Sequence, residues 1–245
     1  HGGYAFASKF DIQKYVGFKY FPVTILLDQK VEHAKKRERL ISFAQKHGYP
    51  IVLKPDSGYV GKGIFIINSE SEVDDAIAKL QVDYMVQVFV PGTIEFGLFY
   101  VRDNGVISIP SINQKFYPSV TGDGVSSVKE LMKRDERIRE QNELLFKNIN
   151  TNEVLAEGEE RTISFIGSNT LGSKFIDSSH LVTKALKHSL EDIFEQAPGI
   201  NFSRLDVKSS SIAEFKKGNF TIIEVNGNAS QPTNMLDPRN THWDM

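Results

Sequence analysis

Arg204 and Asp206 in FSRLDVK, and Glu224 and Asn226 in FTIIEVN, are the residues whose types and spacing say most about chemistry. Each pair is two residues apart, and on an extended strand such residues share a face. If the two strands pair, Asp206, Glu224 and Asn226 converge as three oxygen ligands. Hard divalent cations such as Mg²⁺ take carboxylate and carbonyl oxygens together with phosphate oxygens. The alternates Leu205, Val207 and Val225 would then face the core. Acids on the other face of a buried strand are costly unless paired or metal-bound. The same spacings also fit a solvated hairpin face with an ordinary Arg204–Asp206 ion pair.

The stretch KPDSGYVGKG, Lys54 to Gly63, poses a second question. It joins the apolar runs Ile51–Leu53 and Ile64–Ile67. Ser57, Gly58, Gly61 and Gly63 make it small and free, and Lys54 and Lys62 stand near its ends. It is not a Walker A loop, where Gly-Lys is followed by Ser or Thr and a helix. It is either a plain hairpin or a cover whose backbone N–H groups and ammonium ions fold over phosphates.

The elements that must position these residues follow from periodicity. Residues 1–20 read as a loop and a short helix, and Phe21–Leu27 as a strand with Pro22 at its edge or start. Apolar or small residues at Val31, Ala34, Leu40, Ile41 and Ala44 predict an amphipathic helix over 30–48, closed by Gly48. Its Lys35–Arg39 cluster is an anion patch or, as charge runs on helices usually are, a solvated face. Strands 51–54 and 64–67 flank the glycine loop. Ser69–Leu80 is a helix with acids in its first turn, and Tyr84–Val90 a buried strand ended by Pro91-Gly92. Asp103-Asn104-Gly105 joins two strands as a hairpin. Residues 121–124 are a turn, 126–147 one long, charged, exposed helix, and 180–197 an amphipathic helix ahead of the two final strands. This order lacks the regular βαβ rhythm and implies an α+β architecture of two lobes.

Bulk properties narrow the classes. The 245 residues, 40% hydrophobic and 24% charged, suffice for a large core. A net charge of −2 argues against a general nucleic-acid or membrane-surface binder. The absence of cysteine excludes disulfides, zinc thiolate sites and thiol catalysis. No apolar run of membrane-spanning length and no signal peptide is found, so the expected location is the cytoplasm. The chain opens on His1 without a methionine, which suggests a region of something longer.

Taken in order, a Lys-Pro strand, a glycine hairpin, a hydrophobic strand ending in Pro-Gly with Glu95 soon after, then R-x-D and E-x-N, resemble the ATP-grasp superfamily. Within it the chain is similar to the D-alanine–D-alanine ligase-like carboxylate–amine ligases, over about Ser8 to Pro238. The resemblance implies an α+β, two-lobed ATP-grasp fold with the nucleotide held between two mixed or antiparallel sheets. Residues 1–92 would form the N-terminal lobe, with the lead-in helix and glycine hairpin, and 93–245 the C-terminal lobe with the metal site. Lys9 and Lys54 would be nucleotide lysines, Lys54 reaching the α-phosphate and adenine. Ser57, Gly58, Gly61, Lys62 and Gly63 would close on the β- and γ-phosphates. Gln87, Phe89 and Val90 would meet the adenine edge, where the family usually has Glu in place of Gln87; a glutamine can accept or donate there. Glu95 would bind the ribose hydroxyls, and Lys115 the phosphates from a second loop. Asp206, Glu224 and Asn226 would hold Mg²⁺, two ions being usual and Mn²⁺ an accepted substitute. Arg204 would stabilise the acyl-transfer intermediate. Asn169, Gly172 and Lys174, and the polar segment 226–239, would lie toward the acceptor. Arg102 and Arg161 either hold a substrate carboxylate or are structural.

The activity so implied is an ADP-forming ligase with Arg204 and Lys115 as its catalytic cations. It would join a small-molecule carboxylate to an amine, or a similar nucleophile, through an acylphosphate. A nucleic acid or membrane partner is not expected, and a flanking N-terminal substrate domain is expected outside this chain. The alternatives are a non-catalytic or partner-dependent nucleotide-binding module and a small-molecule kinase.

Overall fold

The computed structural model describes residues 8–58, 63–90, 94–139, 149–165, 167, 172–227, 230, 232, 237 and 239. The chain divides into two compact units, 1–112 with 178–232, and 113–177 with 233–245. The expected lobe boundary at 92/93 falls inside the first unit.

In the first unit, strands β1 (Thr24–Leu27), β2 (Ile51–Pro55), β3 (Phe65–Ile67) and β4 (Tyr84–Val88) form an antiparallel sheet in the order β1-β4-β2-β3. Helices α2 (His33–His47) and α3 (Val73–Ile77) cover one face, where Leu27, Leu40, Phe43, Ile51, Leu53 and Val86 make one core. Helix α2 stops at Gly48, whose φ of +86° favours glycine. The Lys35–Arg39 run is divided in its duties. Lys36 is buried and donates to the Gln29 carbonyl, while Arg37 pairs with Glu70 and Asp74.

A second sheet carries β5 (Ile94–Asp103), β6 (Val106–Phe116), β9 (Lys174–Asp177), β10 (Phe202–Ser209) and β11 (Thr221–Asn226), in the order β11-β10-β5-β6-β9. Asn104 and Gly105 both have positive φ, +47° and +80°, as a tight β5–β6 hairpin turn demands. Its core packs Phe96, Leu98, Tyr100, Leu205, Val207 and Ile222 against α6 (Lys184–Glu195) and α7 (Ile212–Lys216). Helix α7 is absent from the sequence reading. Ser211 caps it by accepting from Glu214 N at 3.1 Å, and Phe215 stacks on Phe96 with centroids 3.9 Å apart.

The second unit holds the end of β6, β9, the pair β7 (Ser119–Thr121) and β8 (Glu160–Thr162), and helices α4 (Val128–Arg134) and α5 (Glu136–Arg139). The long exposed helix expected over 126–147 is corrected here over its described part. Asp135 is extended, at φ −85° and ψ 115°, and its side chain accepts from the N–H groups of Arg137 and Ile138. That local bonding competes with helix continuation and starts a new turn. The two short helices bury Val128, Leu131, Met132 and Ile138 in a small separate core with Val120, Leu155 and Ile163. Residues 140–148 lie outside the described residues.

Candidate active site

The pairing of β10 determines one face of the site. Leu205 and Val207 are fully buried in the core. Arg204, Asp206 and Lys208 therefore take the opposite face. In register, Asp206 stands opposite Glu224 and Gly97, Arg204 opposite Asn226, and Lys208 opposite Glu95. The sheet thus carries Glu95, Arg204, Asp206, Lys208, Glu224 and Asn226 on one side. A register shift between Asp206 and Val207 makes this possible. Strict alternation would put Ile222 and Glu224 on the same face. The irregularity lets Ile222 stay in the core while Glu224 joins the acids.

Both oxygens of Asp206 have partners. Arg204 Nε donates to one at 3.2 Å and Asn226 Nδ2 to the other at 3.3 Å. Glu224 Oε1 lies 3.5 Å from Lys9 Nζ. Among the described residues no group of three or more His, Cys, Asp or Glu could hold a metal ion. Two carboxylates and an amide are nonetheless the donor chemistry that suits a hard divalent cation completing its shell with ligand oxygens. Asp206, Glu224 and Asn226 therefore fit Mg²⁺.

Lys9 is built in from a distance. Ser8 caps helix α1 (Lys9–Val16), accepting from Asp11 N at 3.0 Å. The buried Asp56 then holds the helix start. Its carbonyl accepts from Lys9 N and its carboxylate from Phe10 N at 2.8 Å. The Lys9 ammonium donates to the Gly58 carbonyl at 3.0 Å, which ties the beginning of the glycine loop to Glu224. Asp56 is a contributor that the sequence reading passes over; its place directly after Lys54-Pro55 is the only signal for it.

Ile51 and Leu53 face the α2 core. Val52 and Lys54 take the other side of β2, with Met85 and Gln87 as their β4 partners. Burial pushes the Lys54 ammonium down to about 8, against the pull of Glu224 and Glu95, and the nearby Lys208 and Lys9 add to the lowering. Gln87 is 1% exposed. Phe89 and Val90 are part-buried, and Lys208 meets both, its Nζ 5.4 Å from the Phe89 ring centre and 3.4 Å from the Val90 carbonyl. Lys208 is the second residue that the sequence reading omits. The alternation R-x-D-x-K along one strand face was the available signal.

Of the glycine loop, Ser57 is exposed and Gly58 part-buried. Gly63 has φ +74°, and a Cβ there would sit 3.0 Å from both Pro55 Cγ and Tyr84 OH, so glycine is required. Gly61 and Lys62 lie outside the described residues. In the second unit Lys115 is buried, with Nζ 5.8 Å from the Phe175 ring centre. Lys174 is exposed on β9 and Gly172 is buried; Asn169 lies outside the described residues. Arg161 is paired with Glu153 and Glu159, and Arg102 donates to the carbonyls of Phe194, in the last turn of α6, and Pro198, just beyond it. Both arginines serve structure.

The model of the ATP-grasp domain matches residues 28–151, just over half of the chain. This chain belongs to the ATP-grasp family. A relative by sequence is the arginine-specific large chain of carbamoyl phosphate synthase from Halalkalibacterium halodurans, 31% identical over 83 residues, which are 32% of this chain and 8% of that one. Among solved structures, VanG D-Ala:D-Ser ligase from Enterococcus faecalis aligns over 94% of this chain and 56% of its own, with TM-score 0.52 and 13% identity. Carboxyaminoimidazole ribonucleotide synthase from Aspergillus clavatus, complexed with ATP, aligns over 91% and 44%, with TM-score 0.51 and 13% identity. The ATP-grasp chain thus spans about half the length of these structures, 56% of one and 44% of the other, and a small part of the sequence relative. Its fold is the mixed helix and antiparallel-sheet α+β fold of the family. Among the described residues no helix is long and apolar enough to cross a membrane.

Proposed function

We propose that the chain is the nucleotide-binding and catalytic region of an ADP-forming, Mg²⁺-dependent ligase that joins a small-molecule carboxylate to an amine through an acylphosphate. The observation that carries this reading is the joining of two sheets' chemistry through Lys9. One ammonium links the β2–glycine-loop backbone to Glu224, beside Asp206 and Asn226.

Asp206, Glu224 and Asn226 would hold Mg²⁺, one ion or two, with Mn²⁺ as a substitute. The metal, when bound, neutralises phosphate charge during transfer. The chain's own residues do the rest. Lys9 and Lys54 offset phosphate charge, and Ser57, Gly58 and Gly63, with Gly61 and Lys62, cover the phosphates and exclude water. Gln87, Phe89 and Val90 meet the base and Glu95 the ribose. Arg204, already on Asp206, lies beside the acids to stabilise the transferring group, and Lys115 is the further cation assigned to the phosphates. The nucleotide would lie between lobes 1–92 and 93–245, in the cytoplasm, with a flanking N-terminal substrate domain outside this chain.

The test is ADP release from Mg²⁺·ATP with pooled carboxylic acids, with and without pooled amines. Release that needs both pools is expected. Release with acids alone and a stable phosphorylated product would make the protein a kinase instead.

A further inference from the structure

Gln87 lies on β4 opposite Thr24 of β1 and Val52 of β2, with 1% of its surface exposed. The two ends of its amide differ. Nε2 donates to Thr24 Oγ1 at 2.9 Å, whereas Oε1 is buried without a hydrogen-bond partner among the described residues. An amide can in principle be turned over, exchanging the two ends. Thr24 forbids it. A hydroxyl carries one proton, and that of Thr24 goes to the Pro22 carbonyl at 2.7 Å. Two acceptor oxygens at that distance with no proton between them repel. Toward Gln87 the Thr24 oxygen can therefore only accept, and it demands the NH₂ end. The group left over is an acceptor. Leaving it unmatched is costly, and a ligand that brings a donor recovers that cost.

We infer that Thr24 is a positioning residue for base selection. By fixing the Gln87 amide with its oxygen left for the ligand, it makes the site prefer a 6-aminopurine, which donates there, over a 6-oxopurine, which presents an acceptor. The inference rests on the nucleotide-binding reading above, with Gln87 at the base. Neighbouring Val52 and Met85 are apolar and offer no competing donor.

The test compares calorimetric affinities of Mg²⁺·ADP and Mg²⁺·IDP, the inosine diphosphate, for the full chain. Wild type should prefer ADP by about tenfold or more, because a buried acceptor facing an acceptor is left unpaired. Thr24→Val keeps the branched shape on the strand but releases the amide, and the ADP:IDP ratio should fall at least about threefold, an energy well within that of one hydrogen bond. Thr24→Ser should keep the wild-type ratio. Thr24→Val combined with Gln87→Glu should keep the ADP preference, since a carboxylate presents an acceptor either way round. A merely structural role for Thr24 would not give that rescue. Gln87→Met removes the acceptor at similar length and should abolish the preference even if Thr24→Val does not fold. An unchanged ratio in folded Thr24→Val, or in Gln87→Met, would overturn the inference while leaving nucleotide binding intact. Failure of wild type to bind either nucleotide would overturn the underlying reading and the inference with it.

Discussion

Asp206 and Gln87 are both buried polar side chains on the non-core faces of their sheets, yet their surroundings differ. Arg204 and Asn226 occupy both Asp206 oxygens, and Lys9 stands on the neighbouring Glu224. Gln87 is satisfied at one end only, with Oε1 unpartnered among the described residues. The acids are held by protein cations and donors, which the proposed metal would displace or share. Charged groups cannot be left bare in a buried place, because an unpaired ion costs far more than an unpaired amide. The protein therefore spends its cations on the acids and leaves one neutral acceptor waiting.

Substitutions at the two sites test this contrast. Glu224→Gln should show the largest effect. It removes the charge proposed to hold the metal and should lower ADP formation at least about a hundredfold, in keeping with the loss of one electrostatic contact to a transferring group. Thermal unfolding should hardly move, since Glu224 is only part-buried and Lys9 keeps Gly58. Normal turnover in this variant would remove Glu224 from the metal site.

Lys54→Met comes next. Nucleotide affinity should fall about tenfold or more for the loss of one charge-assisted contact to phosphate. Unchanged ATP affinity would take Lys54 out of the site. The same lysine predicts a pH dependence. Its folded value is about 8, below the ordinary 10.5, so the folded chain binds fewer protons than the unfolded chain between those values. Stability contributed by this group therefore rises with pH across about 8 to 10.5. ATP affinity moves the other way, falling as the ammonium is lost above pH 8. Denaturant titrations and binding at pH 7 and pH 9.5 measure both slopes, and Lys54→Met should flatten them.

Asp56→Ala should be smaller. It deprives Phe10 N of its acceptor and loosens the start of α1, at about 0.5–2 kcal/mol of stability by analogy with lost helix caps. Nucleotide affinity should drop modestly because the helix start that carries Lys9 is less firmly held, and Asp56→Asn should restore much of it. An affinity loss as large as that of Lys54→Met would mean that Asp56 acts on the ligand itself.

Most strands of the two sheets were legible because they are dense apolar runs bounded by turn residues, but β9 was missed because its four residues carry only two apolar side chains. The acids of the site were legible because R-x-D and E-x-N keep the strand period. The irregularity that separates Ile222 from Glu224 was not, since an extra residue in a ladder leaves no mark on composition. Helix α7 was hidden because five residues are too few to show a helical period. The break at Asp135 was hidden because a helix interior and an N-cap tolerate the same residue type. Lys208 and Asp56 were passed over because each reads as an ordinary surface charge until the sheet pairing and the α1 contact bring them inward. Thr24 could not be found by any local pattern, as its role depends on where one proton goes.

The most direct test of the central claim is the Mg²⁺ dependence of ADP affinity in wild type and in Asp206→Asn, measured by calorimetry with and without chelator. If Asp206, Glu224 and Asn226 hold the metal that meets the phosphates, Mg²⁺ should tighten ADP binding about tenfold or more in wild type, and Asp206→Asn should lose most of that gain. An equal gain in both proteins would contradict the account, because the metal would then be held by other residues.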